Sequence, residues 1–140
     1  MAGLPESARR LLAAGALGHL VTLNPDGSPQ VSCVWLGVED GELVSAHLNS
    51  QQRKLRNVRR DPRVTVSWEG REIQPPGLKH YVVVHGRGRV EEGGAPELLQ
   101  RLAYVYLGPD VRFPPMDSPP PGVVLHIEIE RVGGVGPWSS

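Results

Sequence analysis

The chain has 140 residues, 39% of them hydrophobic and 21% charged, and its fifteen basic and fifteen acidic side chains give a net charge of zero. This composition is typical of a soluble globular protein with a single domain over residues 1–140, and it excludes a disordered chain or a coiled coil. Zero net charge and 5% aromatic residues also argue against a nucleic-acid-binding protein, which needs a basic surface and stacking side chains.

The first twenty residues predict a short helix. Pro5 suits a first helical turn, Glu6 suits the positive end of the helix, and Leu11 and Leu12 provide an apolar face. This run is too short and too polar for a signal peptide or for a membrane span of about 20 residues. Cys33 is the one cysteine, so no intrachain disulfide can form. We therefore expect a cytoplasmic protein with no membrane partner.

Six β-strands are predicted after this helix. They are rich in β-branched residues and bounded by turn residues, and they cover 19–23, 28–38, 39–48, 63–68, 80–92 and 123–138. Gly86 and Gly88 indicate a bend or bulge in the fifth strand. The first connections are too short for crossover helices, which favours antiparallel pairing. The predicted fold class is therefore mainly β with short helices, arranged as a closed or nearly closed antiparallel barrel, because closure removes exposed edges.

Helices and irregular segments are predicted between these strands. The run 50–60 forms a short helix that ends at about Arg60, before Asp61 and Pro62, and a second helix covers 95–108. A polar connection is expected over 69–79. The segment 109–122 contains six prolines and is expected to form an extended loop.

Residues 50–64, "SQQRKLRNVRRDPRV", hold six of the fifteen basic side chains. At 100° per residue, Arg53, Arg56 and Arg60 share one side of a helix, while Lys54 faces the preceding strand. Hydroxyl, amide and basic groups around Lys54 meet the free N–H groups of a helix start, which favours binding of a phosphate or carboxylate. For Arg56, Arg59 and Arg60, a solvated helix surface remains the alternative.

The other reactive residue types give weaker patterns. The histidines have no metal-ligand spacing, so we expect no metal, and the chain has no nucleophile elbow of the GxSxG kind. His47 is the exception among the histidines, because it ends a strand just before the basic helix and is placed to face a bound anion. Cys33 is expected to be a small buried residue of its strand.

Four segments together resemble the pyridoxamine 5'-phosphate oxidase-like split-barrel superfamily. They are "TLNPDGSPQVSCVWL", "LVSAHLNSQQRKLRNVRRDPRVTVSW", "VVVHGRGRVEE" and "VVLHIEIERVGGVGPW", which cover nearly the whole chain. The most specific motifs are "DGSPQVS" and the run K-x-x-N-x-x-R-D-P-R-V that begins at Lys54. Within the superfamily, the chain is most similar to the branch of small reductases that depend on the deazaflavin coenzyme F420.

This resemblance implies a homodimer of six-stranded split β-barrels with the cofactor in a groove between the subunits. It places the cofactor phosphate at the helix start, on Gln52, Arg53 and Lys54, with Ser45, His47 and Ser50 at the same end. It places the tricyclic ring along Pro29, Gln30, Val31 and Ser32. The partner subunit is expected to complete the pocket with Lys79, His80, Tyr81, Pro137 and Trp138. Some relatives carry an arginine where this chain has Gln52, which leaves the details of phosphate contact open.

The resemblance also implies the activity, which is transfer of a hydride from reduced F420 to a conjugated, electron-poor small molecule. The chemistry then belongs to the cofactor, and no catalytic side chain is expected. An acidic tail on the cofactor would suit Arg56, Arg59 and Arg60. Two alternatives remain, namely an FMN-dependent oxidase or oxidoreductase of the same fold and a non-catalytic flavin- or haem-binding module. The loop 109–121 either borders the substrate opening or serves as a spacer.

Overall fold

The computed structural model describes residues 3–139 as three helices packed on one antiparallel sheet of seven strands. The helices are α1 (Glu6–Ala13), α2 (Arg53–Arg60) and α3 (Ala95–Tyr106). The strands are β1 (Gly18–Leu23), β2 (Pro29–Val34), β3 (Gly37–Glu39), β4 (Glu42–His47), β5 (Arg63–Gln74), β6 (Leu78–Glu92) and β7 (Val123–Val135). Their order in the sheet is β2-β1-β5-β6-β7-β4-β3. The mainly β antiparallel architecture predicted from the sequence is confirmed.

The strand count differs from the predicted six because the stretch 28–38 is not continuous. Trp35 and Leu36 interrupt it, so that β2 pairs with β1 while β3 turns away to pair with β4. The turn between β3 and β4 has positive φ angles of 52° at Asp40 and 79° at Gly41, which suits the short side chain of Asp40 and the freedom of Gly41. The sheet therefore has its two edges on strands that are consecutive in the chain.

The connection predicted over 69–79 is largely a hairpin. β5 continues to Gln74 and β6 begins at Leu78, with a tight turn in which the Gly77 N–H donates to the Gln74 carbonyl at 2.8 Å. The residues near this tip are mostly exposed on both faces of the hairpin. Exposure on both faces explains why the sequence lacks the apolar alternation that identified the other strands.

The side chains that point into the barrel form its hydrophobic core. Those that are 0–1% exposed include Leu20, Val66, Trp68, Val82, Val84, Leu125 and Ile127. The Trp68 Nε1–H donates to the Ala8 carbonyl at 3.1 Å, which ties α1 to the sheet. The predicted irregularity at Gly86 is present as a register shift between β6 and β7, where an added Cβ would collide with the Glu128 carbonyl.

Helix α2 packs against β1 and β6 through buried Leu55 and Val58. Its buried Asn57, 1% exposed, donates through Nδ2 to Thr22 Oγ1 at 3.1 Å and Asn24 Oδ1 at 3.0 Å. The start of α2 is thereby fixed against the β1–β2 hairpin. Within residues 3–139, none of the helices combines the length and apolar character needed to cross a membrane.

Candidate functional site

The start of α2 is a helix N-terminus without a capping side chain. Gln52 precedes the helix in an extended conformation, and the first turn contains the cations Arg53 and Lys54 and no acidic residue. The first N–H groups of a helix have no partner within it, and the helix dipole places partial positive charge there. Two cations at this position repel that charge, whereas an anion would be attracted to both.

His47 lies beside this helix start at the end of β4. Its side chain is 7% exposed, and Nε2 lies 2.8 Å from the hydroxyl of Ser45, itself 1% exposed. Burial and the nearby Lys54 ammonium lower the pKa of His47 from 6.5 to about 4. The Gln52 amide acts in the opposite direction, although no hydrogen bond of ordinary geometry joins Gln52 Oε1 to the ring. His47 is therefore a neutral imidazole at physiological pH.

Two buried polar atoms at this end of the sheet lack a hydrogen-bond partner within the described residues. They are Ser32 Oγ and Gln52 Oε1. An unsatisfied buried polar atom costs about 1–3 kcal/mol, so each is expected to bond to a water molecule or to a ligand. Both belong to residues that the sequence assigned to the cofactor. The Lys54 ammonium is half-buried, and burial lowers its pKa.

A cavity of about 210 Å³ opens beside Lys54, and we call it the anion corner. Its lining is Cys33, Val34, Trp35, Ala46, His47, Lys54, Leu99 and Phe113. The Trp35 ring stacks on Tyr106 with centroids 5.4 Å apart and lies 5.2 Å from Phe113. The sequence alone did not identify Trp35, Leu99 and Phe113, and their only signal is that they are large and apolar. They lie between β2 and β3, within α3 and in the segment after α3.

The prediction that Cys33 is buried is wrong. Cys33 is exposed and borders the anion corner. Its register partners on β1 and then β5 are His19 and Ser67, which face away from the core. Val31 belongs to the same face and is 60% exposed. Gln30 faces inward instead, and its Oε1 accepts from Asn57 Nδ2 at 3.3 Å.

The arginines of α2 divide as the helical spacing predicts. Arg53, Arg56 and Arg60 surround a second cavity of about 220 Å³ together with Pro25 and Asn57, and we call it the arginine cavity. Arg60 also donates to Asn57 Oδ1 at 3.3 Å and to the Leu23 carbonyl. It is therefore also a structural contact between α2 and β1.

Arg59 points elsewhere and holds the turn before α2. It donates to the Ser50 carbonyl at 2.8 Å and pairs with Glu92 at 3.5 Å. Neither Arg59 nor Arg60 is a purely solvated side chain. The hydroxyl of Ser50 accepts from Gln51 Nε2 at 3.3 Å, so Ser50 lies in the turn that leads into the corner.

The remaining predicted residues form a separate group at the start of β6 and after the end of β7. Lys79, His80 and Tyr81 line a cavity of about 560 Å³. Trp138 Nε1 donates to the Tyr81 carbonyl at 2.8 Å, and its ring lies edge-on to His80 with centroids 5.6 Å apart. Pro137 is exposed beside Trp138. Within one chain these residues line a different cavity from Lys54.

The sequence of residues 4–136 matches the family model described as "Pyridoxamine 5'-phosphate oxidase". The chain belongs to this family. The match spans nearly all of the described residues and includes both cavities of α2. The chain therefore belongs to a group of flavin-related oxidoreductases.

Solved structures agree with this family membership. A structure described as an F420 reductase is 26% identical, with a TM-score of 0.71, and the match covers 93% of this chain and 98% of the other. The conserved hypothetical protein Rv2991 of Mycobacterium tuberculosis is 24% identical, with a TM-score of 0.70 over 97% of this chain and 85% of the other. HupZ of Group A Streptococcus shares the fold at 14% identity, with a TM-score of 0.65 over 97% of both chains. No curated protein matches the sequence.

The polar atoms of this chain are suited to binding a flavin-type group. The anion corner provides the cation Lys54 at an uncapped helix start. The unsatisfied atoms belong to Ser32, which precedes Cys33 of the cavity lining, and to Gln52, which precedes the helix. Strand β2 is an edge of the sheet and pairs along one side with β1. Its other side presents unpaired backbone N–H and C=O groups, which can bond to the polar edge of a flat ring. The residues present can therefore hold both a phosphate and a ring.

Proposed function

We propose that this chain is a coenzyme F420-dependent oxidoreductase that reduces a conjugated, electron-poor small molecule. The observation that carries the proposal is the anion corner, where Lys54 stands at an uncapped helix start and lines one cavity with His47. The cofactor phosphate binds Lys54 and the first N–H groups of α2. The bound deazaflavin supplies the hydride, so the chain needs no catalytic side chain.

Each residue at the corner has a separate part in this arrangement. Lys54 and Arg53 balance the phosphate charge. Ser32 Oγ and Gln52 Oε1 provide polar partners for hydroxyl groups next to the phosphate, which would remove their desolvation cost. His47 stays neutral because of its lowered pKa, so it adds a hydrogen bond without a further charge. Ser45 fixes the orientation of the His47 ring.

The arginine cavity favours F420 over FMN. Seven of the fifteen basic side chains pair with carboxylates, at Arg10, Arg59, Arg63, Lys79, Arg89, Arg101 and Arg112. In residues 3–139, Arg53, Arg56 and Arg60 make no such pair although they surround one cavity. The acidic tail of F420 would supply the missing carboxylates, whereas FMN ends at its phosphate.

We propose further that the working form is a cytoplasmic homodimer. The outer face of β1, β5 and β6 carries the partly exposed side chains of Val21, Thr65 and Val83, with the polar residues His19, Ser67 and His85 among them. We expect this face to form the interface with a second copy of the chain. A second copy on this face would bring Lys79, His80 and Tyr81 of one subunit towards the corner of the other, which explains why one chain separates the two groups.

The activity is tested with reduced F420 and a quinone as acceptor, by following oxidation of the cofactor in the absence and presence of the protein. We expect turnover that requires both the protein and the quinone, and little or none with reduced FMN. Protein that is yellow as purified and active with FMN alone would support the FMN-dependent oxidoreductase instead. Stoichiometric cofactor binding without turnover on quinones or other conjugated acceptors would support a non-catalytic module.

A further inference from the structure

The proline-rich segment between α3 and β7 is part of the anion corner. Phe113, in the middle of this segment, lines the same cavity as Lys54 and His47, although about 60 positions separate it from either in the sequence. It closes the apolar side of the cavity together with Trp35 and Leu99. The cavity therefore has one polar side, formed by α2 and β4, and one aromatic side, formed by Trp35 and Phe113.

The position of Phe113 is fixed by hydrogen bonds to its backbone and to that of its neighbours. Gln100 of α3 donates from Nε2 to the Val111 carbonyl at 2.8 Å and accepts at Oε1 from the Phe113 N–H at 3.0 Å. Arg112 donates to the Met116 carbonyl at 3.0 Å, which closes the loop after Phe113. One glutamine thus clamps the segment on both sides of Arg112.

Trp35 is fixed in turn by Tyr106 at the end of α3. The two rings stack nearly parallel, with an interplanar angle of 8°. The Tyr106 hydroxyl donates to the Ala16 carbonyl at 2.6 Å and accepts from the Leu36 N–H at 3.1 Å. The aromatic side of the corner is therefore built on helix α3 and its hydrogen bonds.

We propose that Phe113, positioned by Gln100, is a binding determinant of the anion corner that excludes water from Lys54 and from the phosphate bound there. An apolar wall lowers the local dielectric, and the attraction between two charges rises as the dielectric falls. Shielding from solvent also makes the attraction less sensitive to salt. Burial of Lys54 and His47 agrees with this role. The inference deepens the proposed function, because it rests on phosphate binding at Lys54.

The test is a ³¹P NMR titration of the full chain with inorganic phosphate at low and high salt. We expect Phe113→Ala to raise the dissociation constant by roughly three- to tenfold and to steepen its salt dependence, because water then reaches Lys54. Phe113→Leu should retain most of the affinity. Gln100→Ala should have the same effect as Phe113→Ala, because it frees the segment that carries Phe113 although Gln100 itself does not line the cavity. Met116→Ala, on the same loop but outside the cavity lining, is the matched control.

Unchanged phosphate affinity in both Phe113→Ala and Gln100→Ala would overturn the proposal, as would an equal loss in Met116→Ala. If Phe113→Ala does not fold, Phe113→Leu and Gln100→Ala decide the question. F420 binding is measured in parallel on the same proteins. Phosphate binding that depends on Phe113 without any F420 binding would refute the proposed cofactor and leave this inference standing.

Discussion

The lowered pKa of His47 predicts a specific dependence of stability on pH. An unfolded chain binds a proton at His47 below about pH 6.5, whereas the folded chain does so only near pH 4, where its pKa lies. Between these values the unfolded state holds more protons, so stability falls as the pH falls. At roughly 1.4 kcal/mol per pH unit, this gap corresponds to a loss of up to about 3 kcal/mol.

The assay is urea unfolding at several pH values between 7 and 4, in a buffer without phosphate, for the wild type and for His47→Gln. We expect the free energy of unfolding of the wild type to fall by up to about 3 kcal/mol more than that of His47→Gln across this range. Thr22→Val, which replaces a buried hydroxyl that does not titrate in this range, is the control and should leave the slope unchanged. Equal slopes for wild type and His47→Gln would refute the burial argument.

Three further predictions concern affinity, stability and assembly. Lys54→Ala should weaken cofactor binding by about 1.5–3 kcal/mol, as expected for a charge-assisted hydrogen bond. Arg9 is an exposed cation on α1, so Arg9→Ala should have little effect on cofactor binding. Equal losses of affinity in Lys54→Ala and Arg9→Ala, measured by fluorescence titration, would show that the site is not at Lys54. Asn57→Ala should lower the free energy of unfolding by about 2–3 kcal/mol, because buried Thr22 loses its partner; an unchanged urea midpoint would contradict this. Val83→Glu should convert the dimer to a monomer, as measured by light scattering, and abolish cofactor binding. Val105→Glu, at an exposed position of α3, should change neither property. A Val83→Glu protein that remains dimeric would contradict this interface.

Arg59 shows how the structure changes an expected control. The sequence leaves Arg59 either on a solvated helix surface or in contact with an acidic tail, and both roles would make Arg59→Ala a natural control for Lys54→Ala. The structure instead has Arg59 holding the Ser50 carbonyl in the turn before α2. Loss of Arg59 would therefore disturb the corner indirectly, and Arg9 is the better control.

Much of the fold could be predicted because its strands alternate and its turns contain glycine, proline and asparagine. The break at Trp35 could not be predicted, because "CVWL" is continuously apolar and the one glycine nearby, Gly37, lies after the break. The error at Cys33 arises because the polarity of "QVSCV" is inverted: the inward-facing Gln30 and Ser32 are polar, whereas the outward-facing Val31 and Cys33 are apolar. The hairpin beyond Glu69 was missed because both of its faces are exposed.

The polar part of the candidate site could be predicted because its residues are nearly continuous, from Ser45 to Lys54. Its aromatic part could not. Phe113, Leu99 and Trp35 come from three separate elements, and only the packing of α3 on β4 brings them to Lys54. A contact between distant segments leaves no periodic signal in a single sequence.

The central claim is tested most directly by titrating the wild-type protein with F420 and with FMN and comparing the dissociation constants from quenching of tryptophan fluorescence, with Lys54→Ala measured beside it. Trp35 lies in the anion corner and is placed to report occupancy there. The proposal predicts tighter binding of F420 than of FMN, with both weakened in Lys54→Ala. Tight FMN binding with weak F420 binding, or F420 binding that is unchanged in Lys54→Ala, would contradict it.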